Sequence, residues 1–106
     1  MSTNIEQQPL FAGYTVLELA GVLAGPAVGM FFAELGARVI KVENARSNGD
    51  VTRQWKTAKE DADSDISAYF SSVNWGKESV ALDLRTEAGI QIVKALARRA
   101  DIIITS

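Results

Sequence analysis

An α/β fold whose parallel sheet is built from two βαβ units is predicted by three features of this sequence. Residues 14–43 read as a strand, a glycine-and-proline turn, an almost uncharged helix, a Gly-Ala break and a second strand. Residues 79–105 repeat the order strand, helix, strand. The last of these strands carries Ile102, Ile103 and Ile104 in succession, an apolar run that implies burial on both faces, as in a parallel sheet. A chain of 106 residues has room for one small domain with a modest core.

Thr15, Val16, Leu17, Glu18 and Leu19 form the first strand, and the chain then turns through residues 20–26. Gly21 and Gly25 are expected to take backbone angles closed to other residues. Pro26 suits the first helical position, where a missing N–H costs nothing, so a helix should run from about Pro26 to near Gly36, which fits a left-handed cap. Residues 38–43 resume as a strand. Because such a crossover is right-handed, the 21–26 turn and Glu43 should share one edge of the sheet, the edge where open α/β sheets bind ligands. Glu34 is the only charge on this first helix. A helix apolar nearly all round must be covered on more than one side, which predicts a partner surface: either a further segment or a second copy of the chain.

Residues 44–65 are rich in Asn, Gly, Asp, Ser and Lys, with Val51 and Trp55 as isolated apolar anchors. They read as a long surface excursion of the kind that is usually functional. Apolar residues at 66, 69, 70 and 73 fit a short helix, and residues 79–84 alternate as a strand does. Thr86 is a good N-cap and Glu87 suits the first turn of the second long helix. Ile90, Val93, Ala97 and Ala100 with Ile92 and Leu96 give that helix its apolar face, while Lys94, Arg98 and Arg99 complement its C-terminus. A sheet of this kind normally continues past such a buried strand. The sequence therefore reads as the N-terminal part of a larger fold, with residues 1–9 a disordered polar N-terminus and residues 10–106 the front of one ligand-binding domain.

Composition narrows the function. With 47% hydrophobic and 23% charged residues, a net charge of -2 and a pI near 5.0, the chain has no massed basic face, which argues against nucleic acid as a partner. It has no Cys and no His, so it lacks a thiol nucleophile, the commonest metal ligand and the commonest general base. No metal site is expected, and any catalysis must rest on carboxylates, hydroxyls, Lys, Tyr or backbone groups. Residues 19–33 carry no charge, yet they fall short of the roughly 20 needed to span a bilayer and are interrupted by Gly21, Gly25 and Pro26. Residues 1–8 have neither a basic start nor an apolar core, so no membrane insertion or secretory signal is read and a cytoplasmic location is the expectation.

Several motifs occur together in one order: Val16-Leu17-Glu18-Leu19, Leu23-Ala24-Gly25-Pro26, the run from Leu35 through Gly36-Ala37-Arg38 to Glu43, Gly49-Asp50-Val51-Thr52-Arg53, Tyr69-Phe70, Lys77 to Leu84, Gly89, and Ala100 to Ile104. In these the chain resembles the N-terminus of the family III CoA-transferases, the group of formyl-CoA transferase, the carnitine CoA-transferases and the α-methylacyl-CoA racemases. The resemblance implies a Rossmann-like sheet, an interlocked homodimer several times longer per subunit, and movement of CoA between carboxylic acids. It also implies an Asp carboxylate, located beyond residue 106, that attacks the acyl-CoA thioester to give a mixed anhydride and then an aspartyl-CoA thioester. No catalytic residue is therefore carried onto this chain.

CoA contacts are carried over by the resemblance onto Leu23 and Ala24 in the first turn and onto Asn44, where members often hold a basic residue near the adenosine phosphate. They are carried also onto Leu82, Asp83, Leu84 and Arg85 after the third strand, and onto Ser106. Gly76-Lys77-Glu78 stands where many members read Asn-Lys-Arg, which with Asn44 shifts the expected phosphate contacts onto Arg85 and Lys77. Other readings stand beside this one. Glu43 imitates the acid that holds a ribose in NAD-binding folds, but Gly21, Gly25 and Gly29 are not spaced as G-x-G-x-x-G. A non-catalytic nucleotide-binding or interaction module, and a racemase, also fit. Trp55, Tyr69, Phe70 and Trp75 lie in separate elements and read as packing or subunit contacts, and Phe31 and Phe32 as core or interface.

Overall fold

A computed structural model describes residues 8–106. Its parallel sheet has the order β3-β2-β1-β4, with β1 at Thr15–Leu19, β2 at Arg38–Asn44, β3 at Glu78–Leu82 and β4 at Ile102–Thr105. Helix α1 (Ala24–Glu34) joins β1 to β2, α2 (Ala68–Asn74) precedes β3, and α3 (Glu87–Arg99) joins β3 to β4. Two 3-10 turns, Ala45–Ser47 and Val51–Gln54, shape the excursion after β2. This is the α/β architecture read from the sequence. The polar N-terminus expected over residues 1–9 lies outside the described residues except for Gln8 and Pro9.

Strand register sorts the side chains. Val16 stands beside Val39 and Ile102, and two residues on, Glu18 stands beside Lys41 and Ile104, so these side chains share one face of the sheet. Phe11, Phe32 and Ala33 pack over Val16, Ala37 and Val39 on that face. Val16 and Val39, fully buried in this core, each contribute about 1.5–3 kcal/mol. Leu17 is buried on the opposite face, the side with Ile103, Ile40 and Val42.

Helix α3 is capped as predicted, with Thr86 Oγ1 accepting from the Gly89 amide at 3.0 Å and Arg98 and Arg99 in its last turn. Gly36, at φ +100°, takes the left-handed position after α1. Other expectations need correction. Helix α1 starts at Ala24, so Pro26 is its third residue, still among the positions whose N–H has no intrahelical partner. The positive φ in the β1–α1 turn belongs to Val22 (+70°) and not to Gly21 or Gly25. Gly25 serves close packing instead, because a Cβ there would stand 2.3 Å from the Ala20 Cβ. Ile103 is 48% exposed, since β4 is an edge strand. Val28 and Phe31 on α1 are about half exposed, and so are Val51 and Trp55, although Trp55 still packs edge-on against Tyr69 of α2 with ring centroids 5.1 Å apart. Among the described residues no helix is long and apolar enough to cross a membrane.

Candidate functional site

All strands being parallel, their carboxyl ends meet at one edge. There a cleft of about 240 Å³ opens between the ends of β1, β2 and β3, lined by Leu19, Val42, Glu43, Asn44, Leu82, Asp83, Leu84 and Arg85. A smaller recess of about 190 Å³ beside it includes Ala20, Gly21 and Asp50 together with Glu43 and Asn44. The turn after β1 and the end of β2 thus share the edge predicted from crossover handedness.

Beneath this edge lies a charge network that the sequence did not announce. Lys41, 1% exposed, places Nζ 2.9 Å from Glu18 Oε2 and 2.9 Å from Asp50 Oδ2, and donates to the Ala20 carbonyl at 2.9 Å. Lys77 Nζ lies 2.7 Å from Glu18 Oε1, an ion-pair distance reached at an angle poor for a hydrogen bond, and donates to Pro26 O and Asn74 Oδ1. Burial pushes the Lys77 ammonium below its ordinary pKa, against the opposing pull of Glu18. Burial alone would raise the Asp50 carboxyl, but the Thr52 amide, the Lys41 ammonium and the Thr52 hydroxyl outweigh it and hold it low. Gly29 of α1 admits the network: a Cβ at that position would meet Glu18 Oε1 at 1.9 Å.

Glu43 is the second organising carboxylate. It accepts from Arg53 Nε (2.8 Å) and Nη2 (2.7 Å), from the Asp50 amide (2.7 Å) and from the Ser79 hydroxyl. With both oxygens spent on its own chain, it is not free to hold a ribose. Arg53 in turn stacks 3.9 Å over the Phe70 ring, and Ser67 Oγ donates to Thr52 O, so polar groups pin the excursion together with the Trp55–Tyr69 ring contact. Gly49, at φ +89°, lets the loop pass this close, since a Cβ would stand 2.4 Å from Glu43 Oε1.

Burial would raise Glu43, but Arg53, Ser79 and the Asp50 amide override it and bring the carboxyl from 4.5 to about 2. A depressed folded pKa contributes stability that is complete above the unfolded value and is lost as pH falls through the folded one. Stability in urea is therefore expected to stay flat as acid is added down to pH 4.5 and to decline between 4.5 and about 2. Glu43→Gln should flatten that decline; an unchanged acid limb in the variant would show that Glu43 does not drive it.

Residues 11–106 match the family described as CoA-transferase family III. The chain belongs to that family. Among the relatives of this family III chain is the succinate–glutarate CoA-transferase of Agrobacterium fabrum, 43% identical over 107 residues, which takes in 98% of this chain and 26% of that protein. The formyl-CoA:oxalate CoA-transferase of Streptomyces avermitilis is 37% identical, over 87% of this chain and 21% of its own length. A solved CAIB/BAIF family protein from Brucella suis superposes with a TM-score of 0.80 at 41% identity, covering 93% of this chain and 26% of that one. The family III chain thus spans about a quarter of the length of the first of these relatives.

The residues singled out from the sequence fall on this edge. Asn44, Leu82, Asp83, Leu84 and Arg85 line the cleft. Leu23 and Ala24 sit at the α1 start on the same edge, exposed, though outside the cleft lining. Ser106 follows Thr105, which pairs with Leu19, so it too reaches this edge. Lys77, expected as a phosphate contact, is instead consumed by Glu18, Pro26 O and Asn74, with its side chain 2% exposed. Asn44 Oδ1 is spent on capping the Arg46 amide. That turn brings the Arg46 guanidinium, overlooked in the sequence, to 3.6 Å from Asp83 Oδ2 at the cleft margin. Its signal was a base two residues beyond Asn44, where the resemblance implied one.

Proposed function

We propose that this chain is the CoA-binding portion of an enzyme that moves CoA between carboxylic acids, with the nucleophilic Asp supplied by a segment outside residues 1–106. The observation that carries the reading is the cleft at the carboxyl edge. Its floor is apolar (Leu19, Val42, Leu82), exposed Leu23 and Leu84 stand near, and the exposed cations Arg46 and Arg85 flank it. That combination suits a ligand with phosphates at one end and a largely apolar pantetheine arm. The carboxylates at the edge are already engaged: Glu43 by Arg53, Asp50 by Lys41 and Thr52, and Asp83 by the Arg85 amide. Each thus has a partner within the chain, which favours a nucleophile from elsewhere. The half-exposed Val28 and Phe31 of α1 support a covering surface from a further segment or a second copy, consistent with a homodimer of the whole protein.

In this reading the Asp oxygen attacks the acyl carbon, the C–S bond breaks and CoA leaves as thiolate. The thiolate then attacks the aspartyl carbonyl of the anhydride, releasing the donor acid and leaving CoA on Asp for transfer to the acceptor. The chain's own task is to hold the nucleotide while the thiol end moves between carbonyls.

Coenzyme A is expected to raise the melting temperature of the chain in a saturable way, while NADH at the same concentration leaves it unchanged. Arg85→Ala and Arg46→Ala should each weaken CoA binding by about three- to tenfold, as loss of a charge-assisted phosphate contact does, and more strongly at low salt. Stabilisation by NADH alone would sink the reading.

A further inference from the structure

The β1–α1 turn contains an anomaly that its glycines do not explain. Val22, β-branched, sits at φ +70°, where such residues are outliers that persist only if their surroundings over-determine them. Its side chain is 39% exposed, and that of Leu23 after it 49%. A buried carboxylate 28 residues away in sequence reaches the backbone of this turn. Asp50 Oδ2 accepts from the Val22 amide at 3.3 Å and stands 2.9 Å from Lys41 Nζ, while Oδ1 accepts from the Thr52 amide and hydroxyl at 2.9 and 2.8 Å. The Asp50 side chain is 2% exposed and lies beside Gly21, where an added Cβ would make ordinary contact with Oδ2 at 3.5 Å.

We propose that Asp50 is a positioning residue for CoA binding: held by buried Lys41, it locks Val22 in the left-handed conformation and so presents Leu23 and Ala24 to the ligand. The same carboxylate closes the loop that runs from Asn44 to Thr52, so it ties two ligand-facing segments into one rim. Asp50 itself stays beneath the surface and acts through Val22. The inference rests on the CoA reading above.

Asp50→Asn preserves size but removes the charge that Lys41 grips. It is expected to raise the dissociation constant for CoA about tenfold in calorimetric titration, while the variant remains folded by circular dichroism. Adding Val22→Gly, which makes a positive φ nearly costless, should recover a large part of that loss. Val39→Ala, a core truncation remote from the edge, should lower the melting temperature without moving the dissociation constant, which separates positioning from general stability. If Asp50→Asn fails to fold, Asp50→Glu, which keeps the charge and displaces its oxygens by one methylene, takes its place. Unaltered CoA affinity in the folded variant, or no recovery on adding Val22→Gly, would overturn the role. Should the unmodified chain bind no CoA, the functional reading falls by itself. The Val22 φ from NMR couplings then decides the positioning role: a shift in Asp50→Asn sustains it and an unchanged angle ends it.

Discussion

Lys41→Met is expected to destabilise the chain by about 3–5 kcal/mol, the cost of removing one partner from a buried ion pair. The ammonium is shared by Glu18 and Asp50, both at 2.9 Å and both at most 2% exposed, and with Lys77 these groups sum to zero charge. Methionine fills the space of the lysine stem, so packing changes little. What changes is the charge sum: the buried set becomes -1, and the Ala20 carbonyl loses its donor. Against a domain stability of roughly 5–15 kcal/mol the loss is large. Urea unfolding at pH 7 measures it.

A surface pair gives the contrast. Arg38 and Glu78 make an ion pair with side chains 64% and 57% exposed, and Arg38→Ala should cost no more than about 1 kcal/mol. A second contrast isolates charge from shape. Glu18→Gln with Lys41→Met leaves Asp50 and Lys77, again neutral in sum, so the double variant should cost less than the two single changes added. Strict additivity, or a Lys41→Met cost near that of Arg38→Ala, would mean that water or relaxation screens these groups despite their burial.

Local signals were readable in the sequence wherever one residue decides one geometry. Thr86 capped α3, Gly36 ended α1, and the apolar alternation gave β3, because each depends on a few neighbours along the chain. The common edge was also legible, since crossover handedness follows from strand–helix–strand order alone. The interior of the site was not. Glu18 and Lys41 occupy strand positions where a charge normally points to solvent, and only the parallel register that sets them side by side turns them into a buried pair. Lys77 looked like a phosphate ligand for the same reason: sequence shows a cation but not that Glu18 and two oxygens already hold it. Gly21 and Gly25 suggest conformational glycines, whereas the unusual dihedral falls on Val22, and the missing Cβ of Gly25 serves contact with Ala20. Glycine advertises that something is special at a turn without saying which of its two properties is used.

Gly29→Ala tests that distinction where the two properties pull in opposite directions. At an exposed helix position the change would stabilise by about 1 kcal/mol, because alanine loses less backbone entropy than glycine. Here the new methyl would stand 1.9 Å from Glu18 Oε1 and 3.2 Å from Lys77 Cε. The carboxylate has little room to withdraw, since Lys41 holds its other oxygen at 2.9 Å. Overpacking against a fixed group costs about 3 kcal/mol, so steric cost exceeds helix propensity and a net loss of roughly 2 kcal/mol is expected. The two changes should also be coupled: in a Glu18→Ala background the obstructing carboxylate is gone, and Gly29→Ala there should turn neutral or stabilising. Unfolding midpoints of the four proteins measure this. A Gly29→Ala chain as stable as its parent would mean that α1 shifts outward to make room, and that the close seating of α1 on the buried charges is not fixed by the glycine.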